Sequence, residues 1–310
     1  MKNNFSKLTK SIKSRGIKST LREIYNQVIF SRYKSVILKN NFDKNNIEYG
    51  LNQVKRDEEI IISFTTIPSR IEKSIYVIDV LLSQTVKPDN VILYLGRDEF
   101  RNFILPPEIE NLIKRGLKIE YVEDLGPHTK YFYAIQNNPN SIVITVDDDR
   151  IYNKNLVELF MKTHVLFPNC VCANWVKEMV INNEHISPHE SWPRVKVEGK
   201  PSNMFFALGV DGVLYPPNIL PKQTFDKKNI KELCLFADDI WLKSMELINN
   251  IPVVKVIGSG DSINMNIEGT QKQSLNHENE GRDRNSVYLD QVFNHFELFK
   301  YLVYGGNESE

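Results

Sequence analysis

The apolar run Ser141–Ile142–Val143–Ile144–Thr145–Val146, followed at once by Asp147–Asp148–Asp149, constrains this chain more than any other stretch. An unbroken run of apolar and β-branched residues reads as a buried strand. It stops in three adjacent carboxylates. Side chains alternate along an extended backbone, so Asp147 and Asp149 are expected on one face and Asp148 on the other. Three acids this close repel one another and resist ionisation unless a cation joins them. Oxygen-only donors suit a hard divalent ion, Mg²⁺ or Mn²⁺. The plainer alternative is an acidic loop that ends a strand in solvent. A place at the carboxyl end of a parallel-type strand, where open α/β sheets hold their ligands, favours function.

The context upstream repeats one unit. Glu59–Thr66, with Ile60, Ile61, Ile62 and Phe64, predicts a buried strand. A helix through Gln84 follows, with Ser69 and Glu72 at capping-box spacing and Ile71, Ile75, Ile78 and Leu82 as its buried stripe. Val91–Leu95 is a second strand, Pro106–Arg115 a short helix closed by Gly116, and Leu117–Val122 a third strand. Gly126–Pro127–His128–Thr129–Lys130 then opens the helix Tyr131–Gln136. Strand and helix alternate three times before the acidic strand, which predicts an α/β fold with a mainly parallel sheet flanked by helices. Arg70, in the turn after the first strand, is either a phosphate ligand or a surface charge, with its position favouring the former, and Lys130 lies at the same edge as Arg70 and the three acids. Acids and bases meeting there suit a nucleoside diphosphate bound through a metal.

Downstream, Leu156–Phe167 predicts an amphipathic helix and Cys170–Trp175 a strand. Asn182–Asn203 reads as one long irregular loop, in which Trp192 either stacks on a sugar or anchors the loop by packing. His185 and His189 have helical ligand spacing, but Pro188 between them argues against a zinc site. Gly209–Val210–Asp211–Gly212–Val213–Leu214–Tyr215–Pro216–Pro217 reads as a bend beside a ligand, then a strand stopped by two prolines. In Phe236–Ala237–Asp238–Asp239–Ile240–Trp241–Leu242, Asp238 or Asp239 is expected to cap a helix whose stripe includes Trp241, Met245 and Ile248. Capping needs one acid; the second is placed to act as a general base. Val253–Ile257 is a last strand, Ser274–Asn285 a polar stretch containing His277, and Ser286–Val303 a C-terminal helix.

Composition narrows the classes. A chain of 310 residues with 41% hydrophobic and 25% charged residues is ordinary for a globular enzyme, and zero net charge gives no global pull toward nucleic acid. The balance is uneven, however: residues 1–40 carry ten basic residues against the single acid Glu23. Phe5, Leu8, Ile12, Leu21, Ile24 and Val28 recur at helical spacing among them. Such an arm either lies on an anionic membrane surface or is a solvated or domain-packed helix. Three cysteines, Cys170, Cys172 and Cys234, form no disulfide framework and fit a reducing cytoplasm. Without a membrane span or signal peptide, a cytoplasmic protein is expected, peripheral on the inner face of the membrane if the arm binds there. The division expected is a basic arm and linker over 1–50, a catalytic domain over 57–265, and a C-terminal loop and helix over 266–310.

Four pieces in this order resemble a GT-A-fold (Rossmann-like) glycosyltransferase, similar to bacterial family-2-like enzymes of surface polysaccharide or lipopolysaccharide synthesis. They are Ser63–Phe64–Thr65–Thr66–Ile67–Pro68–Ser69–Arg70, then Thr145–Val146–Asp147–Asp148–Asp149 as the "DXD" motif, then Gly209–Pro217, then Ala237–Asp238–Asp239. The resemblance spans roughly residues 57–265 and implies a nucleotide-sugar donor, first of all a UDP-sugar, with a glycan or lipid-linked glycan as acceptor. By the same likeness Thr65 and Arg70 border the nucleotide, Lys130 lies near its base or phosphates, and Asp147 or Asp148 contacts the ribose or base. Asp149 ligates Mn²⁺ or Mg²⁺, with Asp147 as a second ligand. Asp239 matches the acid of the family's "ED" motif, the base of inverting members. Here Asp238 replaces the preceding Glu, which leaves either acid as the base. Asp211 interrupts a stretch expected to be small residues, and His277 is a candidate late ligand. Phosphatases and nucleotidyltransferases also place Asp pairs after strands, and a non-catalytic nucleotide- or glycan-binding module would keep the fold without turnover. The haloacid-dehalogenase pattern fails at Ile151, and no P-loop is present.

Overall fold

Residues 48–182, 185–260, 265–267 and 284–303 are described by the computed structural model. The basic arm of residues 1–40, the polar stretch Asn40–Asn46 and His277 lie outside the described residues. Strand β1 (Ile60–Thr66) sends Ile60, Ile62 and Phe64 into one core and Ile61 into another on the opposite face. Strand β4 (Ile142–Thr145) does the same, with Ile142 and Ile144 on the first side and Val143 on the second. Both faces of the sheet are thereby covered, which is why these strands carry apolar residues on both faces and turn polar only toward their carboxyl ends.

The expected alternation holds through the first half. After β1 come α1 (Ile71–Leu81), β2 (Asn90–Gly96), α2 (Glu108–Lys114), β3 (Leu117–Val122), a 3-10 turn at Gly126–His128, α3 (Thr129–Asn137) and β4. The second half contains β5 (Arg150–Ile151), α4 (Leu156–Leu166), β6 (Val171–Glu178), the short hairpin β7 (Ile181–Asn182) and β8 (His185–Ile186), β9 (Pro201–Ser202) and β10 (Phe205–Tyr215). Then follow α5 (Lys227–Leu233), α6 (Asp238–Ile248), β11 (Val253–Lys255), β12 (Met265–Asn266), α7 (Arg284–Phe296) and α8 (Phe299–Val303). Eight strands form one mixed sheet in the order β3-β2-β1-β4-β10-β6-β11-β9. From β3 to β4 all neighbours are parallel, and β11 is parallel to β6. Strand β10 runs antiparallel between β4 and β6. Helices α1 and α4 cover one face with Ile71, Ile75, Ile78, Val157 and Phe160, while α3, α6 and α7 cover the other with Tyr131, Trp241 and Phe293.

Several boundaries differ from expectation. Helix α1 begins with Arg70, not Ser69, at its N-cap position. The segment 182–203 is less irregular than its composition implied, because it contains the β7–β8 hairpin, a 3-10 turn at His189–Ser191 and the edge strand β9. Strand β11 ends at Lys255. The single C-terminal helix is two: Glu297 takes a positive φ of 52° between α7 and α8, which lets Phe299 fold back to 5.6 Å from Phe293. That reversal puts both apolar faces on the core, where Phe296 meets Trp241 at 5.8 Å. No helix among the described residues is long and apolar enough to cross a membrane.

Candidate active site

Strands β1 and β4 end side by side, with the Val146 amide donating to the Ser63 carbonyl. Because β4 stops at Thr145, Asp147 follows the strand and Asp148–Asp149 form a turn. Strand alternation therefore does not sort the three acids, and this corrects the expected faces. Asp148 and Asp149 share one partner instead: Arg70 Nη2 lies 2.9 Å from Asp148 Oδ1 and Nη1 lies 3.5 Å from Asp149 Oδ2. Thr66 Oγ1 also donates to Asp148. Asp147 turns the other way, to Lys130 Nζ at 2.9 Å, while its amide donates to Tyr152 Oη at 2.7 Å.

Lys130 sits on α3 with 7% of its surface exposed and joins this group to a second one. Its Nζ is 3.0 Å from Asp238 Oδ2. Burial disfavours the ammonium, but Asp147, Asp238 and Asp239 outweigh burial and hold its pKa well above the ordinary lysine value. The expected capping of α6 by Asp238 or Asp239 is corrected by the structure. Ala237 occupies the N-cap position, and the two acids are the first helical residues. Released from capping, Asp239 accepts through Oδ1 from the Gly209 amide at 3.0 Å.

Gly209 belongs to the irregular part of β10, where its register with β6 shifts between Leu208 and Val213. A Cβ at Gly209 would lie 2.8 Å from Lys130 Nζ and 3.0 Å from Asp239 Oδ1, so any larger residue would have to push the ammonium from its place among the acids. Gly209→Ala is expected to lower turnover about a hundredfold, the scale of a misplaced catalytic group, with a small change in melting temperature. Steady-state kinetics beside a thermal melt checks this; unchanged turnover would contradict it. The same irregular segment explains Asp211, the acid that interrupts the small-residue stretch. It is buried and pairs with Arg150 at 3.0 Å, while Asn174 Nδ2 donates to its carbonyl. The residue after Asp149 is thus tied to β10, and β5 is tied to β12.

Asp147, Asp148, Asp149, Asp238 and Asp239 thus converge on two cations, Arg70 and Lys130. That excess of negative charge, together with burial, sets the titration of the site. Burial, opposed by Arg70 and Thr66, pushes the Asp148 carboxyl up to about 7. Burial and the Asp147 charge raise Asp149, against Arg70. Asp147 is also raised by burial, but Lys130 prevails and leaves it below the usual carboxylate value. Burial and the adjacent Asp238 hold Asp239 well above that value. With its folded pKa raised, Asp148 contributes stability at pH below about 4 that is lost as pH rises toward about 7. Asp148→Asn removes this titration, so the variant is expected to gain stability relative to wild type between pH 5 and about 8. Paired denaturant melts across that range test it; a constant offset would contradict it.

The donors present fit a hard divalent cation of one binding style. Among the described residues no group of three His, Cys, Asp or Glu is gathered as a metal cage. The carboxylates of Asp149 and Asp147, held here by Arg70 and Lys130, are donors of the kind that a hard cation takes one or two at a time, with phosphate oxygens and water completing its shell. Two further residues singled out from the sequence have definite partners. Thr65 donates its hydroxyl to the Tyr94 carbonyl at 2.9 Å, and its neighbour Thr66, not singled out from sequence, is the one that touches an acid. Trp192 is buried, donates to the Ser187 carbonyl at 2.8 Å and packs edge-on against His189 and Phe206, so it anchors its loop rather than presenting a sugar platform. His189 belongs to that aromatic cluster, and burial lowers its pKa to about 4.

No family model matches the chain, and no curated protein matches it. Among solved structures it is similar to a mannosyltransferase of Pyrobaculum calidifontis in complex with GDP-Man and Mn²⁺, at 11% identity over 91% of this chain and 81% of that one, with a TM-score of 0.43. It is similar to residues 1–349 of TarS of S. aureus in complex with UDP, at 16% identity over 63% of this chain and 57% of that one, with a TM-score of 0.40. It is also similar to a CMP:2-keto-3-deoxy-manno-octonic acid synthetase complexed with CTP, at 12% identity over 64% of this chain and 89% of that one, with a TM-score of 0.38. Likenesses this distant identify no activity.

Proposed function

We propose that this chain is a metal-dependent glycosyltransferase of the GT-A type, moving a sugar from a nucleotide-sugar, first of all a UDP-sugar, to a hydroxyl of a glycan or lipid-linked glycan. The observation that carries the reading is the pair of facing carboxylate groups, Asp147–Asp149 and Asp238–Asp239, joined through Lys130 at the carboxyl edge of the parallel strands. Such an edge is where open α/β sheets hold nucleotides. The motif order read from the sequence supports the same assignment.

Arg70 and Lys130 are the cations at hand for the diphosphate, and Thr65 with Thr66 lines the end of β1 beside them. A divalent cation on Asp149, with Asp147 as second ligand, would neutralise the departing nucleoside diphosphate. The acceptor oxygen forms a bond to the anomeric carbon as the bond from that carbon to the diphosphate breaks. The hydroxyl proton goes to Asp239. Asp238 is committed to Lys130, whereas Asp239 is half-buried, fixed at one oxygen by the Gly209 amide, and its other oxygen takes no hydrogen bond from a described residue. Burial and the adjacent Asp238 raise its pKa above the usual carboxylate value, which makes it a stronger base than an ordinary carboxylate. Direct displacement of this kind inverts the anomeric configuration. A role in bacterial surface polysaccharide or lipopolysaccharide synthesis, on the inner face of the cytoplasmic membrane through residues 1–40, follows from the sequence resemblance and the basic arm.

A panel of nucleotide-sugars scored for donor hydrolysis with and without Mn²⁺ tests the proposal. Hydrolysis of at least one donor, lost on chelation, is expected. No metal-dependent response to any donor would overturn it.

A further inference from the structure

His128 is fully buried at the end of the 3-10 turn that leads into α3, two residues before Lys130. Its Nε2 lies 2.8 Å from the Cys234 carbonyl oxygen, and its Nδ1 lies 2.9 Å from Tyr131 Oη. A carbonyl only accepts, so Nε2 carries the proton and donates. Nδ1 therefore holds the lone pair and accepts from the Tyr131 hydroxyl. Burial lowers the imidazole to about 4 despite the nearby Asp238, so this neutral tautomer persists at neutral pH.

Cys234 ends α5 and stands just ahead of the acids of α6. Its carbonyl accepts twice, from His128 and from the Ala237 amide at 3.2 Å, and its thiol donates to the Ala237 carbonyl at 3.1 Å. The link Cys234–Ala237 is thus one closed turn, and Asp238 and Asp239 project from its end. The two segments are also packed tightly, since a Cβ at Gly126 would lie 3.3 Å from the Leu235 carbonyl oxygen. The start of α3 and the start of α6 are therefore joined twice, by a neutral hydrogen bond at His128 and by the ion pair between Lys130 and Asp238 at 3.0 Å. An ion pair tolerates a range of geometries, whereas an imidazole N–H on a carbonyl is directional.

We infer that His128 is a positioning residue: its bond to Cys234 holds the Cys234–Ala237 turn against the start of α3 and so sets Asp238 and Asp239 relative to Lys130. The kinetic consequence rests on the transferase reading; the geometric one does not. His128→Gln keeps an N–H donor within reach of the Cys234 carbonyl, and His128→Leu removes it. Hydrogen–deuterium exchange of the ligand-free full chain is read together with steady-state sugar transfer. In the leucine variant, exchange across residues 234–242 is expected to rise several-fold while β1 and β4 stay protected. The same variant should lose roughly ten- to a hundredfold in kcat with donor KM changed less than about threefold. Glutamine should restore both. Equal exchange over 234–242 in all three proteins, or a glutamine variant that behaves like leucine, would overturn the inference. If the wild type turns over no donor, the transferase reading falls and exchange alone decides the role of His128. If the leucine variant does not fold, His128→Phe, which keeps a planar ring and lacks the donor, is read instead: a rise in exchange over 234–242 supports the inference and no rise overturns it.

Discussion

Asp239→Asn is expected to lower sugar transfer about a thousandfold, roughly 4 kcal/mol in the barrier, while donor affinity stays within about threefold. Asparagine keeps the shape of the side chain and the acceptor for the Gly209 amide, so the backbone of β10 has no reason to move. What disappears is the oxygen that would take the proton in the proposed transfer. Asp238→Asn gives the contrast. It touches Lys130 rather than open space, so its effect should fall on stability more than on the chemical step. Single-turnover transfer and donor titration on both variants separate the two acids. An Asp239→Asn enzyme with wild-type turnover would move the base elsewhere.

Lys130→Met is expected to destabilise the fold by about 3–5 kcal/mol, because it strands Asp147 and Asp238 without their shared cation. For a domain of this size that is a fall of roughly 10 °C in melting temperature. The cost comes from the abandoned carboxylates rather than from the lost lysine, so adding Asp238→Asn should recover part of it. Thermal melts of the single and double variants measure the coupling. A Lys130→Met protein melting within about 2 °C of wild type would show that the ammonium does not bridge the two acid groups.

What could be read from the residues alone was whatever burial dictates locally. The apolar run before Asp147 is a strand because both of its faces are covered, and the stripe Ile71, Ile75, Ile78 marks a helix because one of its faces is. The meeting of Arg70, Lys130 and the acids at one rim followed from strand order, since parallel strands bring their carboxyl ends together. Details set by tertiary pairing were out of reach. The end of β4 at Thr145 depends on β1 and β10, and with it the sorting of Asp147 from Asp148 and Asp149. The pairing of Asp211 with Arg150 and the passage of Gly209 between Lys130 and Asp239 arise from a register shift between distant strands. The one sequence signal for them was the unusual Gly–Val–Asp–Gly composition of residues 209–212. His128 carried no signal at all, because its partner Cys234 is far away along the chain.

The central claim is that a nucleoside diphosphate binds at Asp149 with the help of a divalent cation. Calorimetric titration of UDP, and of GDP in parallel, into the full chain with and without Mn²⁺ tests it most directly. Saturable binding that requires Mn²⁺, is lost in Asp149→Ala and survives in Asp239→Asn is the predicted result. Binding that ignores Mn²⁺, or that persists unchanged in Asp149→Ala, would contradict it.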